Sequence, residues 1–206
     1  MLDINPIIFR AYDVRGTVPD QLRPDVVEKL GQAIGTLAKV RSQKNIVTAR
    51  DGRLSGPQLQ DALNRGILAS GVDVIDVGMV PTPVLYFAAL NFGSGSGVMV
   101  TGSHNPPEYN GFKIMIDGHT LYGGDITSLY DSIKNDALEH GTGILKVENS
   151  LPSYLKTITS DISLERNLKV AIDCGNGVAG VCAEELFKSL GCEVIPLFTE
   201  VDGQFP

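Results

Sequence analysis

Residues 45–77 read NIVTARDGRLSGPQLQDALNRGILASGVDVIDV and contain two apolar runs separated by a stretch of helical period. The runs at 45–49 and 72–77 are rich in Val and Ile and have the length of buried strands. A strand, a helix and a second strand in this order predict a βαβ unit with a right-handed crossover. Units of this kind are typical of α/β folds.

Local signals mark the start, the apolar face and the end of the predicted helix. Ser55 is predicted to be its N-cap, with Pro57 in the first turn and Gln58 at the capping-box position. Gly71 is placed to end the helix. Because Leu59, Leu63 and Ile67 recur at helical spacing, we expect the helix to pack one apolar face against the sheet.

A second copy of this plan appears near the C-terminal end of the sequence. Residues 168–172 predict a strand, 173–177 a turn, the following residues to about Leu190 a helix, and 192–197 another strand. Two units of one plan favour two related domains, although any two βαβ units look alike. We expect a mixed, mostly parallel sheet sandwiched by helices, with domain 1 at 1–149 and the start of a similar domain 2 at 150–206.

The segment between the two predicted units lacks periodicity. Small polar residues gather at 141–150, which predicts the break between the domains there. Ser150 with Pro152 is expected to start a linking helix that carries Leu155, Ile158 and Ile162. Since a βαβ pair alone buries too little surface to stand as a domain, we expect the second domain to be cut short at Pro206.

Composition limits the classes of partner and the cellular compartment. The 206 residues are 43% hydrophobic and carry a formal net charge of −7, which argues against a nucleic-acid surface. No apolar run approaches the roughly 20 residues of a membrane span, and residues 1–5 do not resemble a signal peptide. The glycine-rich run 93–97 precedes a strand, unlike a dinucleotide-binding loop. The cysteines are odd in number and lack CxxC spacing, which favours reduced thiols in a cytoplasm. They are Cys174, Cys182 and Cys192.

The most specific chemical signal is the run TGSHNPPEYNGFK at 101–113, which follows a predicted apolar strand at 97–100. Ser103 offers a hydroxyl nucleophile, and Gly102 lets backbone N–H groups approach a phosphate closely. Lys113 supplies positive charge or a mobile proton. These parts suit phosphoryl transfer, although Ser, Asn, Pro and Gly also make ordinary turns.

In its full form, TGSHNPPEYNGFKI closely resembles the phosphoserine loop of the α-D-phosphohexomutases, in particular the bacterial phosphomannomutase/phosphoglucomutase branch. The resemblance implies an intramolecular phosphotransferase, an isomerase that interconverts the 1- and 6-phosphates of glucose, mannose or both. It implies that Ser103 is the phosphoserine and that a hexose 1,6-bisphosphate is the intermediate. Lys113 matches the lysine that shuttles a proton to or from the sugar hydroxyl.

Residues 9–16, FRAYDVRG, resemble a second family element that lies beside the phosphoserine. By this resemblance Arg15 reaches the transferring phosphoryl group, whose oxygens match a guanidinium, and Tyr12 lines the substrate site. Asp13 is expected to cap backbone groups. His104 is a candidate for binding the phosphate or orienting the loop, and a purely structural imidazole remains open.

The turn at 50–53 also matches a family turn. Asp51 and Arg53 there are expected to brace the serine loop as a salt bridge. Asn105 is expected to shape the serine loop itself through its side-chain amide.

The resemblance also implies one Mg²⁺ ion. Its ligands in the family are a phosphate oxygen on the phosphoserine, here Ser103, and an Asp-Gly-Asp-Gly-Asp-Arg loop that residues 150–206 do not contain. The expected partners are therefore small hexose phosphates and the missing C-terminal domains of the same chain, and residues 1–206 alone are expected to be inactive.

Three alternatives stay open. A phosphoglucosamine mutase typically has SASHNP at this loop, and Thr101-Gly102 speaks against it. A non-catalytic phosphosugar-binding fragment would not need Ser103, Lys113 and Arg15 together. A serine hydrolase would need a Gly-x-Ser-x-Gly elbow, which the serine loop lacks.

Overall fold

The computed structural model describes residues 3–92 and 95–206, so Met1, Leu2, Gly93 and Ser94 lie outside it. The described ranges contain nine strands, six α-helices and two short 3-10 helices. The strands are β1 Val14–Thr17, β2 Asn45–Arg50, β3 Asp73–Met79, β4 Gly97–Val100, β5 Tyr109–Ile116, β6 His119–Thr120, β7 Leu145–Val147, β8 Lys169–Asp173 and β9 Glu193–Leu197. The α-helices are α1 Pro24–Val40, α2 Gly56–Ala69, α3 Thr82–Asn91, α4 Gly124–Lys134, α5 Leu151–Asp161 and α6 Ala183–Ser189, and the 3-10 helices are Pro6–Ile8 and Val178–Val181.

The strands form one large sheet and one two-stranded sheet. The large sheet has the order β1-β5-β4-β2-β3-β7, with β6 beside β5, and the small sheet pairs β8 with β9. Strand β2 runs parallel to β3 and β4, β3 runs parallel to β7, and β8 runs parallel to β9. Strand β5 is antiparallel to its neighbours β1, β4 and β6. The predicted mixed, mostly parallel sheet is confirmed.

Helices cover both faces of the large sheet. On one face, α1, α2 and α4 bury an apolar core that includes Leu30, Leu63 and Phe112. On the other face, α3 packs against strand residues through a second core that includes Leu85 and Met99. A fully buried side chain of this size contributes about 1.5–3 kcal/mol relative to an exposed one. The predicted sandwich is therefore confirmed, and its two cores fix which strand residues face which layer.

Helix α2 lies where the sequence predicts it, but the predicted capping box is wrong. Ser55 precedes the helix with helical backbone angles, and its side chain makes no capping hydrogen bond. Its Oγ instead accepts a hydrogen bond of 2.9 Å from Nδ2 of Asn110 on β5. The far end agrees with prediction, since Gly71 has a φ of +90°, which favours glycine.

The segment predicted as a break contains β7, an edge strand of the large sheet. Strand β7 pairs with β3 through Val74–Leu145 and the next two residue pairs. Gly143 N–H donates to Leu68 O at 2.9 Å, which ties the segment to the end of α2. The helix predicted to start near Ser150 follows as α5, in which Leu155 is buried.

The second unit begins as predicted and differs in its helix. After β8 the chain forms a turn and the 3-10 helix before α6, so the α-helix is shorter than predicted. Ile195 and Leu197 of β9 are exposed by 42% and 43%. This unit therefore has far less apolar burial than the large sheet.

The three cysteines are free thiols. Burial raises the pKa of the Cys182 thiol, and burial also raises the pKa of Cys174, with Asp173 adding to the effect. Within residues 3–92 and 95–206, no helix is both long and apolar enough to cross a membrane.

Candidate active site

The serine loop lies at the sheet edge where β2 and β4 end. These two parallel neighbours end at Arg50 and Val100, so the turn at 51–55 and the loop at 101–108 emerge side by side. Ligands of open α/β sheets bind beyond the carboxyl ends of the strands. The fold thus places the predicted phosphoserine loop at the edge where such sheets bind ligands.

Ser103 is presented to solvent by an unusual backbone conformation. Its φ is +56°, in the left-handed region that non-glycine residues rarely adopt. Its N–H donates to Thr101 Oγ1 at 2.9 Å, and its Oγ lies 3.5 Å from Nδ1 of the exposed His104. A residue held in a sparsely populated conformation at a sheet edge is a frequent feature of functional sites.

Thr101 connects Ser103 to the neighbouring turn. The Thr101 hydroxyl donates to Asp51 Oδ2 at 2.6 Å while it accepts the Ser103 N–H. Thr101 N–H donates to Gly111 O at 2.9 Å, which fixes the start of the loop to β5. The Asn105 side chain donates to Gly102 O at 2.8 Å and shapes the turn in the predicted way.

Arg53 is the centre of the loop's hydrogen-bond network. Its side chain is 1% exposed, and its Nε donates to Asp51 Oδ2 at 3.2 Å. Its two terminal nitrogens donate to four backbone carbonyls of the serine loop and its end, at 2.6–3.0 Å, namely those of Ser103, Asn105, Pro106 and Tyr109. The predicted Asp51–Arg53 pair is present, and the guanidinium holds the loop backbone as well.

Gly102 is required by this arrangement. A Cβ atom at Gly102 would overlap the guanidinium of Arg53. Any larger residue there would push Arg53 away from the loop carbonyls or move the loop.

Arg15 and Lys113 lie on the same face of the sheet. Arg15 on β1 is paired with Gly111 on β5, and Lys113 is paired with Met99 on β4. Because alternate residues of a strand share a face, Gly111 and Lys113 point the same way, and Arg15 is the diagonal neighbour of Lys113. Arg15 and Lys113 thus lie within reach of each other on neighbouring strands. Gly111, which accepts the Thr101 N–H, lies on β5 two residues before Lys113.

Asp13 differs from the prediction. Its carboxylate forms an ion pair with the guanidinium of Arg15 and does not serve as a backbone cap. Both side chains are largely buried, at 10% and 22% exposure, so the pair fixes the direction of Arg15. Tyr12 lies just before this pair and is 75% exposed.

Two contributors to the site were missed from the sequence. Thr101 resembles any strand-end residue, and only the adjacent positive φ of Ser103 shows why its hydroxyl matters. Phe205 lies in the second unit, yet its ring packs 5.1 Å from the guanidinium carbon of Arg53. No local pattern connects two residues so far apart in sequence.

The carboxylates of Asp51 and Asp13 are already engaged, Asp51 by Arg53 and Thr101, and Asp13 by Arg15. In the ranges 3–92 and 95–206, no group of three or more His, Cys, Asp or Glu side chains is arranged to hold a metal ion.

We predict that Arg53→Met lowers the free energy of unfolding by about 3–5 kcal/mol, because it leaves the buried Asp51 carboxylate and the loop carbonyls without their partner. Urea denaturation of residues 1–206, followed by a probe of the first unit, measures the change.

The matched control is Arg65→Met, since Arg65 pairs with Glu28 at 3.0 Å but is 55% exposed. That substitution is expected to cost about 0–1 kcal/mol. Equal effects of the two substitutions would show that Arg53 does not organise the loop.

Comparison with known proteins agrees with this geometry. Residues 6–140 match the family description "Phosphoglucomutase/phosphomannomutase, alpha/beta/alpha domain I", and residues 152–206 match alpha/beta/alpha domain II of the same family. A Pseudomonas aeruginosa protein named phosphomannomutase/phosphoglucomutase is 51% identical over 199 residues, which are 97% of this chain and 43% of that protein. A phosphoglucomutase of Neisseria meningitidis serogroup B is 48% identical over 208 residues, covering 100% of this chain and 45% of that protein.

A solved structure shows the same fold. A phosphoglucomutase/phosphomannomutase family protein of Burkholderia thailandensis superimposes with a TM-score of 0.96 at 47% identity, over 99% of this chain and 46% of that one. The chain thus spans less than half the length of the relatives it matches. Because the family description of domain I alone covers most of the sequence, the chain belongs to the phosphoglucomutase/phosphomannomutase family.

Proposed function

We propose that this chain supplies the phosphoserine part of a phosphohexomutase that interconverts hexose 1-phosphate and hexose 6-phosphate of glucose, mannose or both. The observation that carries the proposal is the exposed Ser103, held with a φ of +56° at the end of β4. Arg53, Asp51 and Thr101 fix its backbone, and the relatives named above carry mutase names.

The reaction consists of two phosphoryl transfers. In the first, the bond from phosphorus to Ser103 Oγ breaks, a bond from phosphorus to a sugar hydroxyl oxygen forms, the hydroxyl proton passes to a base, and Ser103 Oγ takes up a proton. The product is a hexose 1,6-bisphosphate. In the second, Ser103 Oγ loses its proton and bonds to the phosphorus of the other phosphoryl group, and the sugar oxygen that leaves takes up a proton. The phosphoserine is thus regenerated in each turnover.

The proposed roles follow from where the side chains lie. Lys113 carries the proton to and from the sugar oxygen, because it lies on the face of β5 beside Arg15 and has no hydrogen-bond or ion-pair partner among the described residues. Arg15, oriented by Asp13, binds the transferring phosphoryl group. His104 binds the same group from beside Ser103 Oγ, and the exposed Tyr12 contacts the sugar.

The proposal extends to the domain organisation, the metal ion and the location of the protein. We propose a boundary between domain 1 at 1–149 and domain 2 at 150–206, with further C-terminal domains as partners. One Mg²⁺ ion would bind a phosphate oxygen on Ser103 and neutralise charge in transfer, and we propose that its remaining ligands lie in the part of the relatives that this chain does not cover. The three free thiols support a cytoplasmic location.

Phosphoglucosamine mutase remains the alternative within the same reaction class. Its typical loop has Ala where this chain has Gly102, and a Cβ there would overlap Arg53. The serine loop of this chain therefore differs from that of the phosphoglucosamine mutases at a position where the structure has no room for a side chain.

A chimera tests the proposed function. Residues 1–206 replace the matching part of the Pseudomonas aeruginosa relative, and a coupled assay measures conversion of glucose 1-phosphate and mannose 1-phosphate. We expect turnover from the chimera and none from residues 1–206 alone. A folded chimera that binds hexose phosphate without turnover would favour the non-catalytic alternative.

A further inference from the structure

The C-terminal segment of the second unit packs against the turn that carries Arg53. A Cβ atom at Gly203 would lie 2.6 Å from Gly52 O and 2.8 Å from Leu54 N, and a Cβ at Gly52 would overlap Val201. Gly203 therefore lies against the backbone of this turn and the Val201 side chain lies against Gly52, with no room for a side chain at either glycine. Such close contact fixes residues 201–205 relative to residues 52–54.

This contact brings Phe205 to the guanidinium of Arg53. The ring centroid lies 5.1 Å from the guanidinium carbon, within the range of a cation–π contact. Phe205 also lines one depression together with Ser103, His104 and Arg53. An aromatic residue of the second unit thus covers the cation that holds the serine loop of the first.

Phe205 itself is held in an uncommon conformation. Its φ is +53°, in the left-handed region, and its N–H donates to Asp202 O at 3.1 Å. The tight turn that begins at Asp202 directs the ring back toward the first unit. A bulky residue rarely adopts this backbone conformation unless its surroundings hold it there. The contacts around Phe205 therefore determine its position.

We propose that Phe205 is a positioning residue of the serine loop, which it acts on through Arg53. The in-plane N–H groups of Arg53 are used by Asp51 and the four loop carbonyls, so the ring is left to cover a face of the guanidinium. By covering this cation, Phe205 limits the access of water that would compete for the same carbonyls. The importance of this for phosphoryl transfer rests on the proposed function, whereas the effect on the loop does not.

The consequence is a direct link between the two units. When residues 201–205 are seated, Arg53 is held against the loop carbonyls and Ser103 keeps its exposed conformation. When they are not, the guanidinium gains freedom and the loop opens more often. Domain 2 thereby controls how often Ser103 is correctly presented, although Phe205 makes no hydrogen bond to it.

Hydrogen exchange of residues 1–206 tests the proposal, with a peptide spanning 101–110 as the reporter. We expect Phe205→Leu to speed exchange in this peptide by roughly threefold to thirtyfold, the factor that a cation–π contact corresponds to. Phe205→Tyr, which keeps the ring, should restore slow exchange. Peptides from α1 and α2 serve as the internal reference and should not change in either variant.

Phe198→Leu is the matched control. Phe198 also has a positive φ, +49°, but it is 64% exposed, and the described residues show no ring or cation–π contact for it. Its replacement should leave the 101–110 peptide unchanged. Unchanged exchange in Phe205→Leu, or equal acceleration in Phe198→Leu, would overturn the proposal.

A measurement on the unmodified chain covers the case in which Phe205→Leu fails to fold. The Nε–H resonance of Arg53 should exchange slowly with water and show the upfield shift of a group beneath an aromatic ring. A rapidly exchanging, unshifted resonance would overturn the proposal. Neither readout depends on mutase activity, so failure of the positioning role and failure of the proposed function are distinguished.

Discussion

Replacing Ser103 with alanine in the chimera is expected to remove nearly all mutase activity and to leave folding unchanged. The serine oxygen is the atom that carries the phosphoryl group between turnovers, and alanine has no substitute for it. The side chain is exposed, and its Oγ lies 3.5 Å from His104 Nδ1, so little stabilising contact is lost. The change in unfolding free energy should stay within about 0.5 kcal/mol.

The measurement is turnover at saturating hexose 1,6-bisphosphate, together with a thermal melt. Ser42→Ala is the matched control, because Ser42 is also exposed and has a φ of +59° in the first unit. It should keep full activity. Substantial turnover by Ser103→Ala would contradict the assignment of Ser103 as the phosphoryl carrier.

Replacing Lys113 with methionine in the chimera should lower kcat by about 10²–10⁴-fold with little change in KM, since a proton-transfer group acts mainly in the transition state. Methionine keeps the length and the apolar stem of lysine, so packing against the sheet is largely preserved. Steady-state kinetics with glucose 1-phosphate separate the two parameters.

Lys146→Met is the control for this substitution. Lys146 also lies on a strand of the large sheet, but on the edge strand β7, where it pairs with Glu148 and is 68% exposed. Its loss should leave kcat unchanged. A rise in KM with unchanged kcat in Lys113→Met would make Lys113 a binding residue.

The sequence predicts those parts of the fold that depend on local pattern. The Val- and Ile-rich runs predict β2 and β3, and the spacing of Leu59, Leu63 and Ile67 predicts α2, because burial of one face imposes the period of each element. The capping role of Ser55 was wrong for a non-local reason. The Ser55 hydroxyl accepts a hydrogen bond from the Asn110 side chain on β5, and nothing in the sequence near Ser55 indicates that partner.

The sequence predicts which residues belong to the candidate site, but it predicts only part of how they are arranged in space. The motif names Ser103, and pairing of β1 with β5 was needed to place Arg15 beside Lys113. The pairing of Asp51 with Arg53 was foreseen because the two residues are close in sequence. The contact of Arg53 with four loop carbonyls could not be predicted, because these carbonyls lie about fifty residues further along the chain.

The edge strand β7 shows the same limit. Residues 144, 145 and 147 carry apolar side chains, yet Ile144, Leu145 and Val147 are all exposed, so no buried face imposes a period on them. The strand forms because β3 offers an unpaired edge, which the sequence of 141–150 cannot show by itself. Backbone pairing, rather than side-chain burial, explains this element.

Mass spectrometry of the chimera tests most directly whether Ser103 carries the phosphoryl group. After incubation with glucose 1,6-bisphosphate and removal of the free sugar, we expect the protein to gain one phosphoryl group, located on Ser103 by peptide fragmentation. Excess glucose 1-phosphate should then remove it and form the bisphosphate again. An active chimera with no phosphate on Ser103, or with the phosphate on another residue, would contradict the claim.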